Sequence, residues 1–438
     1  MNSPDAPRSG AYAWYVVAVL LLAYTLSFID RMILSLLVGP IRADLGISDT
    51  QMSLLMGFAF AIFYSVLGIP LGWLADRGSR RGIIVAGVAA WSVMTAVCGL
   101  ARSYGSLFLA RIGVGVGEAT LSPAAYSLLG DYFPREKLGR AMAVYSIGVP
   151  LGSGIALVAG ALVVRFVTEG PALIMPLLGE MQPWRLAFVV IGLPGLLVAL
   201  LIALTVREPQ RTGQKAGVER GEFTTFLKQH PAAIAAHFGA MSMIALVMYG
   251  AMAWIPQFLH RTYAMPVHEA GLWFGGATAL CGACGLMLGG WMADGLYRRG
   301  FKDGHLRVIR LNAVALLPLL IGMALAPTAA IALALMVLTM LLGTIHGGVA
   351  GAALQMITPN RLRARMVALY FLVANLIGLG CGPTAMALVT DRVFGEDTAL
   401  RYAIALVTAV AMPVSVALAS WGMKPFTRAV VAAEAIAT

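Results

Sequence analysis

Four charged residues stand inside apolar runs, where charge is costly. Asp30 and Arg31 interrupt Leu26-Ser-Phe-Ile-Asp30-Arg31-Met-Ile-Leu34, and Arg111 and Glu118 bracket Arg111-Ile-Gly113-Val-Gly115-Val-Gly117-Glu118. Each costs roughly 2.5–3.5 kcal/mol at the centre of a membrane helix, so four unpaired charges would cost on the order of 10–14 kcal/mol. Two acids and two bases sum to zero, which suits a carboxylate–guanidinium network facing an aqueous cavity. Arginines in such a network can hold an anionic group, and the carboxylates can exchange protons. Arg111 and Glu118 are seven residues apart, on one helix face and about 10 Å apart along the axis. That spacing leaves room for a ligand group or for a partner from the first run. The competing structural reading is a charge-compensated pair of helices, a task that apolar residues perform at lower cost.

The elements that carry these residues follow from composition. Of 438 residues, 60% are hydrophobic and 12% charged, against about 25% charged in a soluble domain. At roughly 36 residues for a span and its loop, the length predicts twelve membrane-spanning helices. Apolar runs between charge clusters place the spans near 12–39, 50–74, 82–101, 104–130, 139–165 and 185–206, then 232–259, 268–293, 308–326, 329–357, 366–390 and 400–423. A polar stretch at 207–231 reads as a linker between a half at 1–206 and a half at 232–438. The first run continues past Asp30 to Gly39 with no cleavage pattern, so it is expected to be a retained span.

The net charge of +11 is distributed between the spans, which argues against nucleic-acid binding. The two termini and the loops after even-numbered spans hold 22 Lys/Arg and 10 Asp/Glu, and the remaining loops hold 7 and 8. The positive-inside rule therefore predicts that both termini and the linker are cytoplasmic. We refer to this as the basic side.

An internal repeat marks that side. Gly72-Trp-Leu-Ala-Asp76-Arg77-Gly-Ser-Arg80-Arg81 ends span 2, and Gly290-Trp-Met-Ala-Asp294-Gly-Leu-Tyr-Arg298-Arg299 ends span 8. A second echo pairs Pro134-Arg135…Arg140-Ala-Met-Ala-Val-Tyr145 with Pro359-Asn-Arg361…Arg365-Met-Val-Ala-Leu-Tyr370. Echoes on one membrane side indicate two parallel six-helix halves. A carboxylate at a helix end can engage a neighbouring helix N-terminus and adjacent arginines. Asp76, Arg77, Arg80 and Asp294 are accordingly expected to form a cytoplasmic gate, with a purely topogenic charge cluster as the bland alternative.

Other patterns carry less. Cys281-Gly-Ala-Cys284 matches C-x-x-C but lies within a span, where two small packing residues are the simpler reading. The Gly113/Gly115/Gly117 run has no preceding strand, so its small residues are expected to admit a neighbouring helix and not a nucleotide. Gly148-Val-Pro150-Leu-Gly152-Ser-Gly154 and Gly378-Leu-Gly380-Cys-Gly382-Pro383 fit bending helices or close packing equally well. The second half offers Tyr249, Trp254, His346, Gln355 and Asn375 inside its spans, with no counterpart to the four charges. No paired-His motif, nucleophile elbow or Walker-type loop is present, so neither an enzyme nor an ATP-driven pump is expected. Two repeated gates also favour a transporter over a channel.

Taken together, these residues resemble the major facilitator superfamily across the whole chain. Gly72…Asp76-Arg77…Arg80-Arg81 is similar to its signature between spans 2 and 3, and Arg111-x-x-x-Gly115 resembles its span-4 motif. Within it, the first 135 residues resemble the Spinster family of lysolipid and sphingolipid transporters. The likeness rests on Asp30-Arg31, Leu45-Gly46-Ile-Ser48-Asp-Thr-Gln51, Gly68-Ile-Pro70-Leu-Gly72-Trp-Leu-Ala-Asp76-Arg77 and Arg111-Ile-Gly-Val-Gly-Val-Gly117-Glu118-Ala119. The resemblance implies an all-α, twelve-helix transporter working by alternating access and coupled to protons. It implies Asp30 and Glu118 as proton-coupling residues, and Arg31 and Arg111 as ligands of an anionic headgroup. Phe28, Phe58, Tyr64, Trp254, His346 and Asn375 are expected to line the cavity for the tail. The expected cargo is a lysophospholipid or sphingoid phosphate, with another amphipathic drug or organic anion as the alternative. A monomer in a bacterial inner membrane, with no cofactor or metal, completes the expectation.

Overall fold

The computed structural model describes residues 10–169, 174–175, 179–210 and 221–437. Apart from a two-residue antiparallel ladder, Ile174–Met175 with Gly179–Glu180, the regular structure there is helical. Among the described residues ten helices are long and apolar enough to cross a membrane, and the twelve-helix expectation is met because spans 4 and 5 supply the other two. Span 5 is the helix Arg135–Glu169, with an apolar stretch at Leu151–Phe166. The chain divides into two compact units, 1–214 with 266–279 and 215–265 with 280–438. The first turns of span 8 thus group with the first six spans.

Span 4 is interrupted beside one of its charged residues. It runs as Tyr104–Glu118 and resumes as Leu121–Tyr132. Pro123 gives the reason: its ring conflicts with the carbonyl four residues earlier, that of Ala119, and it has no N–H to offer. The last turn tightens instead, with Thr120 N–H reaching Gly117 O and the Thr120 hydroxyl donating to the same oxygen at 2.8 Å. Span 3 makes room for this turn at Gly87, where a Cβ would lie 1.8 Å from Thr120 Oγ1. Glu118 therefore ends a helix and faces the interior of the first unit.

The second unit repeats the device. Span 10 breaks between Ala329–Gly343 and Ile345–Ile357, at Thr344. The Thr344 hydroxyl donates to Gly282 O at 2.9 Å, and a Cβ on Gly285 would lie 2.2 Å from Thr344 Oγ1. Thr120 and Thr344 are 224 residues apart, against 225 for the Pro134/Pro359 echo. The internal repeat thus extends to a matching break in the fourth helix of each half.

Candidate functional site

Asp30, Arg31, Arg111 and Glu118 converge in the first unit. Glu118, at the end of its helix, accepts from Arg31 Nε at 2.6 Å. Arg111, about two turns earlier on the same helix, is wholly buried and donates Nη1–H to the backbone carbonyl of Asp30 at 3.1 Å. The sequence spacing had placed Arg111 and Glu118 as neighbours with room between them. Span 1 supplies a partner to each: Arg31 takes the Glu118 carboxylate, and Arg111 takes the Asp30 carbonyl. The Asp30 carboxyl lies among Glu118, Arg111, Thr95 and Arg31.

Much of the hydrogen-bonding capacity of this group is unfilled. Arg111 Nε and Nη2, Asp30 Oδ1 and Glu118 Oε1 are buried and find no partner among the described residues. Buried polar atoms of native proteins are usually satisfied, so orphans gathered in one place mark a site for water, protons or a ligand. A wall of rings surrounds the guanidinium of Arg31, which sits 5.2, 4.6 and 4.7 Å from the ring centroids of Phe28, Phe60 and Tyr64. Tyr24 extends the wall, edge-on to Phe28 and stacked on Tyr145, which meets Tyr126 edge-on. Only 14% of the Arg31 side chain is exposed. Aromatic faces stabilise a desolvated cation, and the Glu118 carboxylate neutralises it.

Phe28 and Tyr64, expected as cavity wall for the tail, lie against the Arg31 guanidinium. Phe60 was missed, although it lies four residues before Tyr64 on the same helix face, a spacing readable in the sequence. Thr95 and Tyr145 were missed because nothing local ties them to spans 1 and 4; Tyr24 and Tyr126 lie on those spans, seven residues before Arg31 and eight after Glu118, and were missed as well. Phe58 is exposed and belongs to a π-helical turn, Leu54–Phe58. Trp254 is a correction. It is wholly buried and donates its indole N–H to Pro383 O at 2.9 Å, so it joins spans 7 and 11 and offers no surface to a cavity. His346 and Asn375 are half-buried in the second unit, and Asn375 leads into the π-helical turn Leu376–Cys381.

On the basic side, Arg80 is nearly wholly buried. Its guanidinium binds Asp131 at the end of span 4, Glu208 Oε1 at 2.7 Å and the carbonyls of Ser127 and Pro209. Glu208 also accepts from the Arg81 backbone N–H and the Ser79 hydroxyl. Partial burial opposes ionisation of Glu208, but the Arg80 guanidinium and these two donors outweigh it and hold the carboxyl below its usual range. Tyr12 and Tyr15 clamp the same segment, donating to Thr205 O and Thr205 Oγ1, while Tyr132 donates to Arg207 O. The expected partner in this cluster, Asp76, has a side chain outside the described residues. Arg77 and Asp294 are exposed. Asp131 and Glu208 were not anticipated, since they lie 51 and 128 residues from Arg80.

The comparisons with known proteins agree with this architecture. A family profile described as Major Facilitator Superfamily matches residues 20–383. An "MFS-type efflux pump" of Mycolicibacterium smegmatis is 30% identical over 94% of this chain and 92% of its own length. A "Hexuronate transporter" of Bacillus subtilis is 26% identical over 86% and 88%. Among solved structures, a bacterial homolog to the human lysosomal transporter Spinster, inward-facing and unoccupied, is 29% identical. It superposes with a TM-score of 0.79 and covers 97% of this chain and 98% of that one.

Proposed function

The chain belongs to the major facilitator superfamily, as a multi-pass membrane transporter of the Spinster type, and on that footing we propose that it moves amphipathic anionic lipids by proton-coupled alternating access. The observation that carries this reading is the charge group of spans 1 and 4, with its orphaned polar atoms and aromatic wall. An anionic headgroup such as a lysolipid phosphate is matched by Arg31 and by the unfilled Nε and Nη2 edge of Arg111, since guanidinium engages phosphate through parallel hydrogen bonds. Phe28, Phe60 and Tyr64 supply apolar surface beside that head for the start of a chain.

Proton coupling follows from competition. Glu118 and the headgroup both need Arg31, and a site of two acids and two bases is neutral without cargo. Protonating Glu118 removes its charge from Arg31 and frees the guanidinium for an anion. One proton per anionic charge keeps the buried site neutral, which avoids the penalty of an uncompensated charge. Asp30 acts alongside it, next to Arg111. The Arg80–Asp131–Glu208 bracket holds the basic side of the first unit as one piece while the site changes occupancy.

A second reading, transport of a smaller organic anion or a drug, has its own support in the likeness to the efflux pump and the hexuronate transporter. Proteoliposome transport decides between the two. The panel comprises lysophosphatidic acid, sphingosine 1-phosphate, a hexuronate and a cationic dye, each with and without an imposed pH gradient. Gradient-dependent flux of the phosphate-bearing lipids supports the first reading. Flux of the hexuronate or the dye alone replaces it with the second.

A further inference from the structure

The two copies of the repeated arginine pair meet different fates. In the first copy Arg80 is buried and consumed by Asp131 and Glu208. In the second, Arg298 and Arg299 are exposed and form no ion pair among the described residues. The sequence explains the difference. The register that matches Pro134 to Pro359 puts Met356 where Asp131 stands, so the second copy lacks that carboxylate. The neighbouring acids are committed elsewhere: Asp303 binds Arg307 at 2.8 Å, and Glu434 binds Lys302 at 2.8 Å and the Tyr297 hydroxyl at 2.6 Å. Asp294, one turn before Arg298, is exposed and leaves the set with net positive charge.

These arginines end an apolar groove. A cavity of about 430 Å³ between spans 8 and 9 is lined by Trp291, Met292, Leu296 and Leu311 together with Arg298 and Arg299. Outward along span 8, Leu280, Met287 and Trp291 form a stripe at helical spacing that is 76%, 77% and 68% exposed. Leu311 and Val314 present the facing side of span 9, at 46% and 51%. A tryptophan one to two turns below a pair of arginines is the pattern of a membrane–water interface, with the indole at headgroup depth and the cations among the phosphates.

We propose that this groove is a resident site for an anionic diacyl phospholipid, its phosphate on Arg298 and Arg299 and its acyl chains along Trp291, Leu311 and Met287. Charge complementarity selects the lipid class, and the exposed stripe supplies the length of apolar contact that a small anion would leave unused. The bound lipid is a ligand and not cargo, and the groove belongs to the second unit, so the inference stands apart from the Asp30–Glu118 reading.

Native mass spectrometry of the full-length protein, without transport substrate, tests it. The probes are 1-palmitoyl-2-oleoyl phosphatidylglycerol and the phosphatidylcholine with the same chains. The wild type should retain phosphatidylglycerol on the order of ten-fold better. R298Q/R299Q should abolish that preference, and R298K/R299K, which keeps the charge, should preserve most of it. W291A should weaken retention of both lipids. Equal retention of the two lipids by the wild type, or undiminished phosphatidylglycerol on R298Q/R299Q, overturns the proposal. So does displacement of the lipid by millimolar inorganic phosphate, which would reduce the groove to a simple anion site.

Discussion

Arg31 Nε lies 2.6 Å from Glu118 Oε2, joining residues 87 apart in the chain and closing span 1 against the broken end of span 4. The contact is nearly dry, and its acceptor has a second oxygen with no partner among the described residues. A pair so placed is more vulnerable to losing one member than to losing both, since a lone buried charge has nothing to offset its desolvation.

Arg31→Ala should therefore cost about 3–5 kcal/mol of stability and abolish transport. Arg31→Met with Glu118→Leu should recover thermal stability to near wild type while gradient-driven flux stays absent. Unfolding midpoints and proteoliposome flux read the two effects separately. Recovery of flux in the double variant would assign the pair to packing alone.

Arg111→Lys should keep the protein folded and reduce binding of an anionic lysolipid by ten-fold or more, because an ammonium cannot present the parallel edge of a guanidinium. Binding of an uncharged amphipath should change little. Equal losses for both ligands, measured by equilibrium binding, would show that Lys at this position deforms the site as a whole.

Asp30→Asn imitates the protonated acid. Flux in this variant should no longer respond to the pH gradient, while equilibrium binding of the anionic cargo persists. Full gradient dependence would leave Glu118 as the proton-carrying group.

Glu208 predicts a pH effect outside the membrane-spanning segments. Its folded carboxyl titrates below the usual range, so its contribution is fully present above about pH 4.3, the ordinary glutamate value, and is lost as pH falls through the lower folded value. E208Q should cost on the order of 1 kcal/mol at neutral pH, the partly exposed pair being screened. The gap between E208Q and wild type should close as the solution is acidified below that range. A gap of constant size from neutral to strongly acidic pH would exclude the carboxylate as its source.

Gly87→Ala tests the break in span 4. The added methyl would meet Thr120 Oγ1 at 1.8 Å, and overpacking of this kind costs about 1–3 kcal/mol. Thr120→Ala should relieve part of that cost in the double variant. The Gly117 carbonyl at 2.8 Å from the same position keeps the rescue incomplete. Additive losses in thermal stability would mean that the two positions do not meet.

The sequence alone determined the class of fold and the identity of the charged residues. Apolar runs long enough to cross a bilayer admit only helices, because every backbone polar group must be satisfied within the segment. A charge inside such a run is visible from its neighbours, so Asp30, Arg31, Arg111 and Glu118 could be named directly. Pro123 was legible as a helix breaker too, although the sequence reading ran span 4 unbroken over 104–130 and the structure breaks it after Glu118. The pairing of those charges was decided by tertiary structure. Spacing within span 4 left room between Arg111 and Glu118 for a ligand group or a span-1 partner without choosing between them, whereas packing of span 1 against span 4 delivered Arg31 to Glu118 and a span-1 carbonyl to Arg111. The same limit hid Asp131 and Glu208 from Arg80, and misread Trp254 as cavity wall when its indole serves the Pro383 carbonyl. Periodicity reports which face of a helix is apolar. It carries no information on which distant helix that face meets, and a buried charge takes as its partner whatever that packing brings within hydrogen-bonding reach.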